Sequence, residues 1–363
     1  RPSVEGLVVD PRVAAILARG TPPPADAPAP APQGLDWIVA RKLQDHPKEQ
    51  SEIQRICSLP IARPLTDDEI EGIQHQHVKP QALEEGFRLQ KVQAEAIQAY
   101  VENGGLFGPV EVGGGKTLIS LRCISLTFEQ GFSRAALFVP SQVYSQLVDH
   151  DIDWTRKRLP LGCTFHLMGG KSPEKRRSMV GGRRGCWIFP YSLLSTEDTF
   201  ELLVKIRPDL IVFDEAHHLK NRNSARTKRT LSYWRKYRPR VVALSGTMTA
   251  KSLKDYAHLL MMCLTDKSPL PMEAQIVEDW ANVLDSEQAQ EQYHTRTTST
   301  GPLRPLINWS NRNFPKTPLA FDVMGFRRAF QNRLLTTPGV VSSPPDALGT
   351  SIVIENQKAD QLK

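Results

Sequence analysis

From about residue 86 onward, short apolar runs alternate with helix-length amphipathic segments, and this alternation restricts the chain to few architectures. The runs at 106–112, 135–139, 164–167, 186–189, 210–213 and 241–244 have the length and composition of strands buried on both faces. Helices are expected at 116–128, 141–149, 191–206, 252–264 and 323–335. Strands joined through helices pair in parallel. The expected fold is therefore α/β, a doubly wound parallel sheet preceded by a small helical region. A chain of 363 residues with 40% hydrophobic side chains can bury the core that such a sheet needs.

Composition shifts divide the remainder. Residues 1–33 close with TPPPADAPAPAPQ, which favours extended polyproline II and is expected to be a flexible linker. Residues 34–85 carry a polar, helical pattern anchored by Leu35, Trp37, Ile38, Ile53, Ile56 and Ile70, and form an accessory region. The α/β lobe occupies 86–265, and 266–363 is an accessory or connector segment rich in Pro, Ser and Thr. Because the chain opens at Arg1, it is expected to be a piece of a longer protein.

The formal charge is +7, and the excess clusters at 156–158, 171–184 and 220–240. Such clustering is the footprint of a surface that meets a polyanion. The five cysteines are scattered without a C-x-x-C pair, so reduced thiols in a cytosolic setting are expected rather than a zinc site. The apolar stretch at 256–264 is far shorter than the ~20 residues that a membrane span requires, so no membrane partner is expected.

Chemistry concentrates at the ends of the apolar runs. After 106–112 come Gly113, Gly114, Gly115, Lys116 and Thr117, followed by the apolar helix pattern LISLRCISL. Consecutive glycines let the backbone curl so that several N–H groups face one anion, and the helix start adds a favourable dipole. Lys116 is placed to reach β and γ phosphates, and the Thr117 hydroxyl to ligate Mg²⁺. The run at 210–213 ends in Asp214 and Glu215, at the sheet edge where open α/β folds bind ligands. Asp214 is a candidate Mg²⁺ ligand, and Glu215 a candidate to orient the water that attacks the γ phosphate. His217 is expected to link the nucleotide site to Ser245, Gly246 and Thr247, which follow the run at 241–244. Adjacent His217 and His218 lack further ligands at helical spacing and do not make a zinc site.

Together these segments resemble the first RecA-like motor lobe of superfamily-two helicases and translocases, P-loop NTPases, nearest to the Swi/Snf-like branch in its phage or bacterial form. DEAHHLKNRNSARTKRTL is similar to that branch's DEAH block, with Lys220, Asn221, Ser224 and Leu231 on matching positions. SGTMTAKSLKDYAHLL is similar to its third motif at Leu253, Leu259 and Leu260, although Met248, Ala250, Lys251 and Ser252 depart from the usual residues. EVGGGKT matches its phosphate loop, which makes Val110 in place of the first glycine unexceptional. LQKVQAEAI resembles the segment whose Gln reads adenine, which makes Gln93 the candidate. LFVPSQVYSQ and WIFPYSLLS resemble the segments that touch the nucleic-acid backbone, and offer Ser141, Gln142 and Tyr191.

The resemblance implies ATP and Mg²⁺ as cofactors, nucleic acid as partner with duplex DNA favoured, and nucleic-acid-dependent ATP hydrolysis that drives a helicase or translocase. FRRAFQNRLLTTPGVV resembles the connector before a second motor lobe, which is expected outside this chain and to carry the arginines that complete the site. The lobe alone is then expected to hydrolyse ATP weakly, because such an arginine contributes ~10³ to 10⁵ in rate. The expected setting is the cytoplasm of a bacterium or phage-infected cell, or a nucleus in a eukaryote. The alternatives are the motor subunit of a restriction or defence nuclease, an RNA helicase, and a nucleic-acid-binding module without turnover.

Overall fold

The computed structural model describes residues 47–246, 252–285 and 303–343. Strands β1 (Leu106–Gly108), β2 (Arg134–Val139), β3 (Phe165–Leu167), β4 (Gly185–Pro190), β5 (Leu210–Asp214) and β6 (Arg240–Leu244) form one parallel sheet in the order β1-β6-β5-β2-β4-β3. Because strand side chains alternate in direction, the same runs feed two cores. Phe107, Phe138, Trp187, Phe189, Phe213 and Ala243 join one, while Leu106, Leu137, Ile188, Val212 and Leu244 join the other. Burial on both faces is the reason these strands read as continuous apolar runs.

Helices α1 (Pro47–Ser58), α2 (Asp67–His77), α3 (Pro80–Glu84) and α4 (Lys91–Asn103) precede β1. α5 (Lys116–Glu129) follows the glycine loop, and α4 and α5 cover the second core. After β2 comes a helical run: α6 (Tyr144–Gln146), a wider π turn over Leu147–Asp151, and α7 (Ile152–Arg158). α8 (Pro173–Ser178) lies between β3 and β4, and α9 (Tyr191–Leu194) and α10 (Glu197–Ile206) between β4 and β5. α11 (Ala225–Tyr237), α12 (Ala257–Leu264), α13 (Ala274–Leu284), α14 (Arg304–Asn313) and α15 (Val323–Leu335) complete the described chain, and α10 to α15 build the first core.

Several boundaries differ from the sequence expectation, each for a local reason. The strand expected over 106–112 stops at Gly108, because Pro109 has no N–H for the ladder; Val112 beyond it is 84% exposed. The helix expected over 141–149 begins at Tyr144 and continues to Arg158. The one expected over 191–206 is two pieces, since Thr196 stops the first and caps the second by accepting from Thr199 N. Over 252–264 a 3-10 turn (Leu253–Asp255) precedes the α-helix, and α11 is an addition.

The segments on either side of the lobe are built into it. Arg55 of α1 donates to the carbonyls of Asp266, Ser268 and Leu270 at 2.6 to 2.9 Å, and Glu52 accepts from Met272 N at 2.9 Å. Buried Arg333 of α15 donates to the carbonyls of Leu59 and Pro60. Beyond α15 the chain runs parallel to β1, with Phe107 N donating to Gly339 O, Val341 N to Phe107 O and Ser343 N to Pro109 O, at 2.8 to 3.1 Å.

Candidate nucleotide-binding site

The strand order puts β1, β6 and β5 side by side, so the loops that leave their carboxyl ends share one edge. The first is the glycine loop. Gly113 and Gly115 adopt φ 88° and 76°, left-handed conformations that favour glycine, and the first in-helix bond of α5 is Ile119 N to Gly115 O. The backbone amides at the start of the helix, ahead of that bond, have no acceptor within the helix, the arrangement that binds anions. Lys116 Nζ lies there, donating to Val110 O at 3.3 Å and Glu111 O at 3.2 Å.

At the end of β5 the backbone turns abruptly, since Glu215 adopts φ 57° and ψ 55°. A left-handed residue with a side chain costs roughly 1–2 kcal/mol, and here it separates the two carboxylates. Asp214 points inward and is buried; its Oδ2 accepts from Thr117 Oγ1 at 3.4 Å, while its Oδ1 has no hydrogen-bond partner. Burial and the neighbouring Glu215 charge push its pKa up to about 7, against the opposing pull of Lys116 and Thr117. Glu215 points along the edge and forms an ion pair of 3.2 Å with Lys116. Burial works to raise its pKa, but Lys116, Ser245 and His217 outweigh it and hold the carboxylate below its ordinary range.

The third loop closes the network. Ser245 Oγ donates to Glu215 Oε2 at 2.9 Å, and His217 Nδ1 lies 3.0 Å from Ser245 Oγ and 3.1 Å from Glu215 Oε2. Gly246 approaches so closely that a Cβ would stand 3.2 Å from Val112 N and 3.3 Å from Lys116 Nζ. Thr247 lies outside the described residues. Lys116, Thr117, Asp214, Glu215, His217, Ser245 and Gly246 are thus brought together from three loops.

Gln93 is buried beneath the glycine loop. Its Oε1 accepts from Gln90 N at 3.0 Å and its Nε2 donates to Gly114 O at 3.2 Å. It also lines a cavity of about 390 Å³ beside the loop, with Phe87, Arg88, His150, Asp151 and Trp154 among the other lining residues. Phe87 and Trp154 meet edge to face at 5.8 Å, and Arg158 stacks 3.9 Å from the Trp154 ring. An aromatic wall beside phosphate-binding amides gives room and a stacking surface for a nucleobase. Trp154 and Phe87 were not legible as site residues; Trp154 comes from the helical run after β2, and only the fold brings it to the loop.

At the same sheet edge Ser141 and Gln142 are exposed, and Ser141 Oγ lies 3.4 Å from Ser192 Oγ. Tyr191, expected on this face, is instead buried at 3% exposure, with its ring 4.7 Å from that of His218. As the first residue past β4 its side chain joins the core, and the next residue, Ser192, takes the surface position.

A phosphate loop, an acidic pair and a Ser-Gly turn on adjacent strands of a parallel sheet define a helicase-type ATPase lobe, and residues 90–256 match the DEAD/DEAH box helicase family. Over this segment the chain is similar to DEAD/DEAH box helicase domains. The chain is similar to a probable ATP-dependent DNA helicase of Arabidopsis thaliana, at 27% identity over 289 residues, covering 70% of this chain and 25% of that protein. It therefore spans about a quarter of the length of that relative.

Proposed function

We propose that this domain binds ATP with Mg²⁺ and, once closed against a second motor lobe, couples hydrolysis to movement along duplex DNA. The observation that carries the proposal is the convergence of Lys116, Thr117, Asp214, Glu215, His217 and Ser245 in one hydrogen-bonded network drawn from three loops. Lys116 and the loop amides hold the phosphates, and the cavity walled by Phe87 and Trp154 takes the base. Glu215, kept ionised by Lys116 and Ser245, orients water on the γ phosphate. Ser245 and His217 report the position of Glu215 to the loop after β6, which is the route by which the nucleotide state reaches the rest of the lobe.

The residues fit a Mg²⁺ ion. Among the described residues no three His, Cys, Asp or Glu side chains gather into a cage, but Mg²⁺ needs only one or two protein ligands beside phosphates and water. Asp214, with one buried oxygen unpartnered and a carboxyl pushed towards protonation, offers a site that a cation would stabilise, and Thr117 stands beside it. When bound, the ion neutralises charge on the phosphates.

The choice of DNA follows the likeness to a probable ATP-dependent DNA helicase, and the duplex form follows the resemblance of the Asp214–Leu231 block to the Swi/Snf-like branch. Ser141, Gln142 and Ser192 give polar contacts to a phosphate backbone without reading bases. The test is ATP turnover by the complete protein with duplex DNA, single-stranded DNA or RNA as stimulant. Stimulation by duplex, abolished by Glu215→Gln, is expected. Stimulation by single-stranded RNA alone would refute the substrate, and turnover unaffected by Glu215→Gln would refute the site.

A further inference from the structure

The flank of the lobe carries a second charged feature that uses none of the nucleotide residues. Helix α11 buries Thr227, Thr230, Leu231, Tyr233 and Trp234 against its neighbours and turns Lys228, Ser232, Arg235 and Lys236 to solvent. Lys228, Ser232 and Arg235 follow i, i+4, i+7 spacing and so share one face. The loop before the helix, fixed by Asn223 N donating to Asn221 Oδ1 at 2.9 Å, folds beside that face. Arg222, Asn223, Lys228, Ser232, Arg235 and Lys236 thereby line an open cleft of about 510 Å³.

The cleft differs from the other basic clusters in lacking counter-charge. Arg156 is paired with Asp153 at 2.7 Å, and Arg177 with Asp198 at 2.8 Å. From Ala216 to Lys254 the sequence has no Asp or Glu at all. Among the described residues no carboxylate stands within ion-pair distance of Arg222, Lys228, Arg235 or Lys236. Four cations on two walls, with Asn and Ser amid them, are the side-chain types that hold phosphate backbones. From Lys228 to Arg235 the helix rises ~10 Å, about three phosphate steps along one strand of a duplex.

We propose that this cleft is a second seat for a nucleic-acid phosphate backbone, on the flank of the lobe and separate from the edge that carries Ser141, Gln142 and Ser192. It holds nucleic acid without nucleotide and without sequence preference. The inference rests on charge and shape alone, and stands whether or not the motor cycle proposed above is correct. The seat adjoins the tracking edge through Arg229, whose guanidinium donates to Ser195 O. A duplex held in the cleft is therefore kept close to the motor edge.

The test is fluorescence anisotropy of a labelled duplex titrated with the protein over a salt series, without nucleotide. The triple substitution Lys228→Gln, Arg235→Gln, Lys236→Gln changes exposed positions and keeps good helix formers. Three lost phosphate contacts should reduce the slope of log affinity against log salt by about 2 to 3. A control of equal charge, Lys91→Gln, Lys205→Gln, Lys267→Gln, removes exposed lysines elsewhere and should leave the slope unchanged. An unchanged slope in the cleft variant, or an equal fall in the control, overturns the proposal. Displacement of the duplex by polyglutamate as effectively, charge for charge, as by unlabelled duplex also overturns it, in favour of an acidic protein segment. Failure of the motor reading would look different: ATP turnover insensitive to DNA, with the cleft's effect on the slope intact.

Discussion

Replacing Gly115 by Ala separates two costs that the phosphate loop imposes on its glycines. Gly115 stands at φ 76°, and a Cβ there would lie 2.3 Å from Gln93 Nε2. The left-handed backbone costs an alanine roughly 1–2 kcal/mol. Gln93 must also withdraw, losing its 3.2 Å bond to Gly114 O, which contributes about 1 kcal/mol. The loop should thus be displaced from its anion-binding shape by about 2–3 kcal/mol, or roughly 30- to 150-fold in nucleotide affinity. Gly113 is the internal control: its φ is 88°, but a Cβ would meet nothing within 4 Å, so Gly113→Ala should carry the backbone cost alone, roughly 5- to 30-fold. The assay is titration with a fluorescent ADP analogue and Mg²⁺, alongside thermal melting to confirm that each variant folds. Adding Gln93→Ala to Gly115→Ala should restore part of the affinity, because it removes the colliding amide. Equal effects at the two glycines, or strict additivity with Gln93→Ala, would refute the idea that Gln93 is the loop's floor.

Ser245→Ala removes one hydrogen bond from a buried hydroxyl to the ionised Glu215, on the order of 1.5 kcal/mol, so DNA-stimulated kcat in the complete protein should fall about tenfold with KM for ATP unchanged; a rise in KM alone would assign Ser245 to binding instead. His77 Nδ1 lies 2.8 Å from Arg122, which can only donate, so the ring is held neutral, and burial with the Arg122 charge lowers its pKa to about 4. A lowered histidine stabilises fully above its unfolded pKa near 6.5 and loses that as pH falls towards 4, while Asp214 and Asp285, raised to about 7 and about 6, gain over the same span. The clean measurement is therefore a difference: the urea-melt stability gap between wild type and His77→Gln should shrink by about 2 kcal/mol from pH 7.5 to 5, and parallel curves would refute it. Arg333→Met leaves the carbonyls of Leu59 and Pro60 without their donor, and should cost about 3 kcal/mol and speed proteolysis in the segment after α1; an unchanged melt and digest would show that α1 docks by other contacts.

What could be seen in the sequence was what local pattern determines. β5 ends where the apolar run meets Asp214, and α5 begins where the glycines meet Lys116, because burial and backbone freedom act over a few residues. Val110 and Val112 were misleading because their apolar character continued the strand pattern past Pro109. α11 was hidden within a basic run, although Ser224 at its cap and the stripe Thr227, Leu231, Trp234 carried the helical signal. Tyr191 and Trp154 exchanged surface for interior, and solvent for site, through contacts with chain far away in sequence, to which periodicity is blind.

The strand-like pairing of residues 339–343 along β1 has a consequence for solubility. β1 is the outermost strand of the sheet on its side and carries the stem of the phosphate loop. An uncovered edge there would offer Phe107 N and O to any extended chain nearby, a template for intermolecular pairing. Gly339 and Val341 occupy both groups and so act as a shield. Truncation before Gly339 should therefore release a species that self-associates through the very strand that positions the nucleotide.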